Sequence, residues 1–284
     1  MCNAIHNILG GEKSNMSKYS LAQVAAMGPK EFRGIIRKAE WAEPTIMACR
    51  NYGQANLVIV PKEYAFEFLL FCNRNPRPCP VIDVTEPGDS HPRLISPDAD
   101  LRTDLPKYRV FQDGKLVDEP TDIIKYWRDD LVGFLLGCSC GFKWAIWAAG
   151  ISFRRYGGYL TNIPCIPGGR FHGHIVCSVR AFYNAHDAMR AVQISSRHLL
   201  MHGPPIHIGN PEDIGIESLG KGGSFVHPDA PAAEAPKPGE IVMYWPSGIT
   251  AQTVAMETKI PFMITHKGGH MFVMDQLVEE LAVM

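Results

Sequence analysis

The sequence has almost no surplus charge. Its 28 Lys and Arg stand against 29 Asp and Glu, a net charge of −1 over 284 residues. That balance predicts no electrostatic affinity for nucleic acid or an anionic membrane. Long apolar runs are missing too. No stretch approaches the ~18 residues that a membrane-spanning helix needs, so no membrane partner is expected. The first 28 residues hold no continuous apolar core of a secretory signal. They read as a tail, and their low acidity with Lys13 and Lys18 leaves a mitochondrial presequence open. The eight Cys fall into no short pairing framework, and Cys138 and Cys140 are too close for zinc knuckles. They read as reduced thiols, which points to the cytoplasm, with the mitochondrial matrix as the alternative. Nucleotide loops are also lacking. GKGGS (220–224) has the wrong spacing for a P-loop, no G-x-G-x-x-G follows a strand, and no G-x-S-x-G elbow occurs. The expected chemistry therefore uses no cofactor and no resident metal.

What is present is ordinary for a globular enzyme: 46% apolar and 20% charged residues, enough for a sizeable core. Strand and helix signals alternate. ANLVIVP (55–61) reads as a buried strand, KEYAFEFLLFCNRN (62–75) as a helix and CPVIDV (79–84) as a strand. LVGFLLGCS (131–139) is a strand, FKWAIWAAG (142–150) a helix, GEIVMYW a strand, TAQTVAMETK a helix and FMITH a strand. PKEFRGIIRKAEW (29–41) and NAHDAMRAVQISSRHLL (184–200, capped by Asn184) read as helices, as does TDIIKYWRDD (121–130). YRVFQDGKLVDEP carries Asp113-Gly114 between alternating runs, a hairpin signal. HPDAPAAEAPKPGE (227–240) reads as an exposed loop.

This alternation argues for an α/β fold: a three-layer α/β/α core with a smaller two-layer α+β subdomain. The core is assigned 29–105, 126–157 and 201–284, with a mainly parallel or mixed sheet. The subdomain takes 106–125 and 158–200, and 1–28 is the tail. An internal duplication is suggested as well, because LVGFLLGCSCGFKWAIWAAGISFR and EIVMYWPSGITAQTVAMETKIPFMIT share a strand–tight turn–helix–strand pattern. ANLVIVPKEYAFEF and PPIHIGNPEDIGI match more loosely.

The duplication yields two corners where a buried strand turns sharply into a helix, Cys138-Ser139 and Ser247-Gly248. The free N–H groups there favour anionic oxygen. Cys138 reads either as a thiolate nucleophile or as a small residue filling the corner; oxyanion binding is the preferred use of the site. Arg102-Thr103-Asp104 offers a guanidinium fork, a hydroxyl and a carboxylate, suited to holding a substrate carboxylate. Thr161 and Asn162 open a polar loop. THKGGH places His266 and His270 at i and i+4, but Gly268 and Gly269 argue against the helix a zinc pair needs. It reads as a ligand-facing turn, with His266 moving protons and His270 bracing.

NYGQANLVIVP, FCNRNPRPCPVIDVTEPGD, DADLRTDLPKYRVFQDGKLV, GCS, TNIPC, QISSRHLLMHGPPIHIGNP and ITHKGGHMFVMD together resemble the D-glutamate cyclase family over roughly residues 29–275. The resemblance implies the two-part fold and a hydro-lyase interconverting D-glutamate with 5-oxo-D-proline and water, or acting on a related small carboxylic acid. It implies catalytic roles for His266, His270, Cys138 and Ser139. Arg102, Asp104, Ser247, Gly248, Gly268, Gly269, Thr161 and Asn162 would bind substrate. The partner is a small carboxylate, and a homodimer is left open. Three departures stand out. Lys143 and Trp144 stand near the helix start where the family usually has a Glu. Ser247-Gly248 replaces the usual Cys-Gly. The segment before Thr161 is shortened. A hydro-lyase dehydrating a hydroxy acid, or a carboxylate-binding protein without turnover, are the rival readings.

Overall fold

The structure is a computed structural model and describes residues 18–220 and 235–283. Most of the tail and residues 227–234 of the Pro/Ala-rich loop lie outside the described residues. What is described of the tail includes a helix that the sequence reading passed over. This is α1 (Leu21–Ala26), started by a capping box at Ser20, whose side chain accepts from the Gln23 N–H. Val24 and Ala25 are buried beneath it. α2 (Pro29–Arg37) begins on a Pro, which fits the first helical position, and buries Phe32, Ile35 and Ile36.

β1 (Tyr52–Pro61) is buried along nearly its whole length, because both faces of its sheet are covered. Ala55, Leu57 and Ile59 face one apolar cluster and Val58 and Val60 the other. β1 is followed by α3 (Lys62–Arg74), β2 (Val81–Val84), β3 (Tyr108–Gln112), β4 (Lys115–Asp118), β5 (Leu131–Gly137) and α4 (Cys140–Ala148). β6 (Phe153–Pro164), β7 (His174–Phe182), α5 (Ala185–Ser196), β8 (His207–Ile208), β9 (Ile241–Pro246), α6 (Ile249–Glu257), β10 (Phe262–His266) and β11 (Phe272–Leu277) complete the order. The Asn184 side chain accepts from the Asp187 N–H at 2.8 Å and starts α5 as expected.

The described residues form two sheets, and the helices pack against them in an α/β arrangement. The larger runs β2-β5-β1-β10-β3-β4, with β11 also on β1; the smaller runs β6-β7-β9-β8. Every named pairing is antiparallel. The mainly parallel or mixed sheet expected from the strand–helix alternation is therefore corrected. The reason lies in the crossovers. β5–α4–β6 leaves the large sheet for the small one, and β9–α6–β10 returns. The rule that makes successive strands parallel applies only when both lie in one sheet.

Sheet membership is corrected too. The hairpin β3–β4, placed by sequence in the subdomain, joins the large sheet because β3 pairs with β10, Phe262 opposite Gln112 and His266 opposite Tyr108. β8 and β9, placed in the core, join the small sheet through β7, Cys177 opposite Pro246. The hairpin turn is as its residues demand, with Asp113 and Gly114 both at positive φ (49° and 75°). Residues 121–130 hold only a single 3-10 turn, Ile124–Tyr126, not a full helix.

The order of strands makes the two halves equivalent. β1–α3–β2–β5–α4 and β7–α5–β8–β9–α6 repeat one plan, and each half gives its next strand to the other's sheet. The equivalent orders are β2-β5-β1-β10 and β8-β9-β7-β6. This supports the match of the two corners. It replaces the looser match of ANLVIVP with PPIHIG, since β1 corresponds to β7 and β2 to β8.

Candidate active site

The two corners meet across β1. At its end, β1 has β5 on one side, with Ala55 opposite Gly137. On the other side it changes partner. β10 covers Val58 and Ile59, while β11 covers residues 52–55, so Asn56 and Leu57 face a gap between strands. An unpaired buried N–H is costly, and here it finds a side chain instead. The Leu57 N–H donates to His266 Nδ1 at 3.1 Å. Gln252, on the first turns of α6, lies 3.0 Å from the same nitrogen. With Nδ1 accepting, neutral His266 carries its proton on Nε2.

Asn56 donates from Nδ2 to the Gly137 carbonyl at 2.8 Å. The helix N-cap Gly248 presses on the same amide: a Cβ there would stand 2.1 Å from Asn56 Nδ2. One side chain thus touches both corners, and only Gly fits at the second. Ser247 is buried, and its hydroxyl accepts from the Ile249 N–H at 3.4 Å.

The first corner is strongly electropositive. Its backbone is anchored by the Cys138 N–H donating to the Gln54 carbonyl at 3.0 Å. From β7, Arg180 donates through Nη2 to Ser139 Oγ at 2.9 Å. Arg180 is 4% exposed, and its Nε and Nη1 have no hydrogen-bond partner. Trp245, Phe142 and Phe153 surround the guanidinium at 4.8, 5.3 and 5.8 Å from their ring centroids. Rings stabilise a cation through their faces but give its in-plane N–H groups no lone pair. Burial, with Arg155 adding, lowers the Arg180 pKa to about 10. Lys143, one turn into α4, is 2% exposed, and its Nζ donates to the Ile46 carbonyl at 3.1 Å. Burial brings its pKa down to about 8, against the pull of the Cys140 thiolate.

Cys138 and Cys140 share this field. The hydrogen bond from Cys138 lowers the Cys140 thiol to about 5, with Lys143, Arg155 and Arg180 adding, while Cys138 goes well above its ordinary range. Cys138 is buried and Cys140 partly exposed. His202 lies within electrostatic reach of Arg180. Its Nδ1 binds the Arg77 carbonyl at 2.8 Å, its Nε2 is unpartnered, and burial, with Arg180 and Arg77 adding, takes it down to about 4.

The turn between β10 and β11 is tied to this corner through the loop 42–49. Gly269, at φ 80°, accepts at its carbonyl from the Thr45 N–H at 2.8 Å. Gln54 donates to the Thr45 carbonyl at 2.7 Å, and its Oε1 is unpartnered. His270 closes the turn by donating from Nδ1 to the Gly268 carbonyl at 2.9 Å, and burial lowers its pKa. Among the described residues, no group of three His, Cys, Asp or Glu is placed to hold a metal ion.

Other residues singled out from the sequence lie away from the corners. Arg102 is held in a bidentate pair by Asp100 (2.7 and 2.9 Å). Asp104, 1% exposed, is gripped by Arg37 at 2.5 and 2.6 Å and faces Arg33 at 3.6 Å. Neither hydrogen-bonds or ion-pairs with a corner residue among the described residues. Thr161 donates to the Ile175 carbonyl at 2.7 Å inside the small sheet. Asn162 is exposed beside Gly215. Sequence reading missed Arg180, Gln54, Asn56 and Gln252. The available signal was a charge or amide inside a run otherwise apolar enough to be buried, as in HIVCSVRAFY and ANLVIVP.

The arrangement is an α/β scaffold with two buried strand–helix corners, one cationic through Arg180 and Lys143, the other carrying Gln252 against His266, and Asn56 touching both. The chain belongs to the D-glutamate cyclase family, whose model matches residues 132–275. It is similar to "Putative hydro-lyase" proteins from several bacteria. The Geobacillus kaustophilus protein is 50% identical, over 92% of this chain and 98% of its own. The Bacillus subtilis relative is 47% identical over 91% and 100%, and the Rubrobacter xylanophilus one 47% over 92% and 100%. No described helix is long and apolar enough to cross a membrane.

Proposed function

We propose that the chain is a carbon–oxygen lyase acting on a small carboxylic acid, with the interconversion of D-glutamate and 5-oxo-D-proline plus water as its reference reaction. The observation that carries this reading is Arg180, a buried guanidinium with two unpaired nitrogens at the first turn of α4. A buried guanidinium with two N–H groups unpaired and no Asp or Glu partner among the described residues is costly, and a substrate carboxylate relieves the cost. Family membership and the relatives' names supply the reaction class.

In ring closure the amine attacks the γ-carboxyl carbon, and an oxygen leaves as water. Intramolecularity supplies proximity, so the protein's task is protonation and charge stabilisation. Arg180, Ser139 Oγ and the free N–H groups of α4 hold the spectator carboxylate. The reacting carboxyl group lies toward the second corner, where the Asn56 and Gln252 amides and the α6 N–H groups cradle the developing oxyanion. His266 carries protons between the departing oxygen and solvent from its Nε2 side. No metal or cofactor enters this scheme. The test is proton NMR of the purified chain with D-glutamate, 5-oxo-D-proline and a panel of hydroxy acids. Water loss or gain in one of them, abolished by Arg180→Met, is expected. No change in any substrate would overturn the proposal.

A further inference from the structure

A cavity of about 500 Å³ lies where α4, the end of α5 and the C-terminal turn Val278–Leu281 meet, and none of its lining residues has a place in the lyase scheme. Its two sides are tied together by backbone. The Val283 N–H donates to the Arg197 carbonyl at 2.7 Å, and Arg197 Nε donates to the Val283 carbonyl at 3.3 Å.

Three polar side chains line this cavity with bonding capacity left over. Arg197, the C-cap residue of α5, makes no ion pair with Asp or Glu among the described residues. Glu279, on the facing turn, has no cationic partner among them either. The two opposite charges share one cavity and do not close on each other. Between them stands His198, 5% exposed, whose Nδ1 has no hydrogen-bond partner. Burial, with Arg197 adding, lowers the His198 pKa, so the ring is neutral at pH 7 and lacks one hydrogen bond. Ala145, Ile194 and Ala282 give the cavity an apolar wall.

We propose that this cavity binds a free α-amino acid with an aliphatic side chain. That class carries both charges the cavity leaves unmet. The α-carboxylate takes the Arg197 guanidinium, the α-ammonium takes the Glu279 carboxylate, and a polar atom of the same ligand meets His198 Nδ1. A simple carboxylate or a simple amine satisfies one charge and leaves the other facing it unpaired. The methyl groups of Ala145, Ile194 and Ala282 suit an aliphatic side chain and offer nothing to a charged one. The cavity is also in ring contact with the first corner. His198 stacks on Phe142 with centroids 6.5 Å apart and 27° between the planes, and the Arg180 guanidinium lies 5.3 Å from the centroid of that same ring. Binding here calls on no residue of the lyase scheme, so it stands or falls separately.

The experiment is calorimetric titration of the full chain at pH 7 with L-leucine and with D-leucine, using N-acetylleucine and 3-methylbutylamine as controls that each lack one charge. At least one enantiomer of leucine should bind at one site per chain. Both controls should bind roughly tenfold or more weakly, since each forfeits a charge-assisted contact. Arg197→Gln and Glu279→Gln change exposed side chains, so the fold should stand, and each should weaken leucine by a similar factor. Arg180→Met should leave leucine binding unchanged. If that variant fails to fold, His198→Phe, which keeps a ring against Phe142 and removes Nδ1, should weaken leucine instead. No binding of either enantiomer overturns the proposal. So does a control that binds as tightly as leucine, and so does leucine binding that Arg197→Gln and Glu279→Gln leave intact.

Discussion

Each residue in the site owes its chemistry to what surrounds it. Cys140 is the clearest case. Burial pushes Cys49, Cys165 and Cys177 up to about 12, whereas the partner thiol and nearby cations bring Cys140 down to about 5. At pH 6, one described Cys should therefore alkylate much faster than the rest, read by peptide mass spectrometry. Lys143→Met should slow it, and uniform slow labelling would refute the electrostatic reading of the corner. Lys143 itself gives a pH signature. Its folded pKa of about 8 lies below its ordinary 10.5, so between those values the unfolded chain binds more protons. Stability should rise with pH across that window, because the cost of burying the charge is fully present below about 8 and is relieved as the proton leaves. Carboxylate affinity should fall over the same window, by about tenfold, as the nearby Lys143 charge is lost. Denaturation midpoints and binding constants from pH 7 to 10 check both trends, and Lys143→Met should flatten both. His266→Asn should lower turnover about 10²-fold or more while leaving the fold intact, if the imidazole transfers protons. Unchanged turnover would reduce His266 to a cap for the Leu57 N–H.

At the scale of elements, the account rests on how strands and helices meet. Gly248 sits against Asn56 so closely that Gly248→Ala must displace either the amide or the start of α6. Activity should fall sharply, with crystallography showing Asn56 moved from the Gly137 carbonyl. Asp104 gives the contrasting prediction. It ties α2 to the loop before β3 through Arg37, and its removal leaves that guanidinium without a carboxylate, while Arg33 keeps Asp275. Asp104→Ala should destabilise the chain by about 1–3 kcal/mol in urea unfolding. Carboxylate binding measured on the folded fraction should stay unchanged.

These elements also show how far the sequence could be read. β10 was readable to its end residues, and the β3–β4 turn to its dihedral signs, because alternation and Asp-Gly are local signals. Sheet membership was not, since no residue in a hairpin says which distant edge will accept it. The corners were legible as strand–turn–helix junctions. The gap at Asn56 and Leu57 was not, because it arises where β10 stops and β11 begins on the same side of β1. Arg180 was visible only as a charge in a strand-like run, and its burial depends on three aromatic rings from three other elements.

The whole molecule is two copies of one plan that exchange a strand, and the exchange brings the two helix N-termini to either side of β1. The equivalent positions have diverged in charge. Lys143 and the Arg180 field mark one corner, Gln252 and His266 the other. An enzyme that must hold one carboxyl group while transforming another has use for that asymmetry. The most direct test is a crystal structure of the chain with 5-oxo-D-proline. The account predicts a carboxylate within hydrogen-bond distance of Arg180 Nε and Nη1 and of Ser139 Oγ, with the rest of the ligand pointing toward Asn56 and His266. A ligand bound elsewhere, with Arg180 still unpaired, would contradict it.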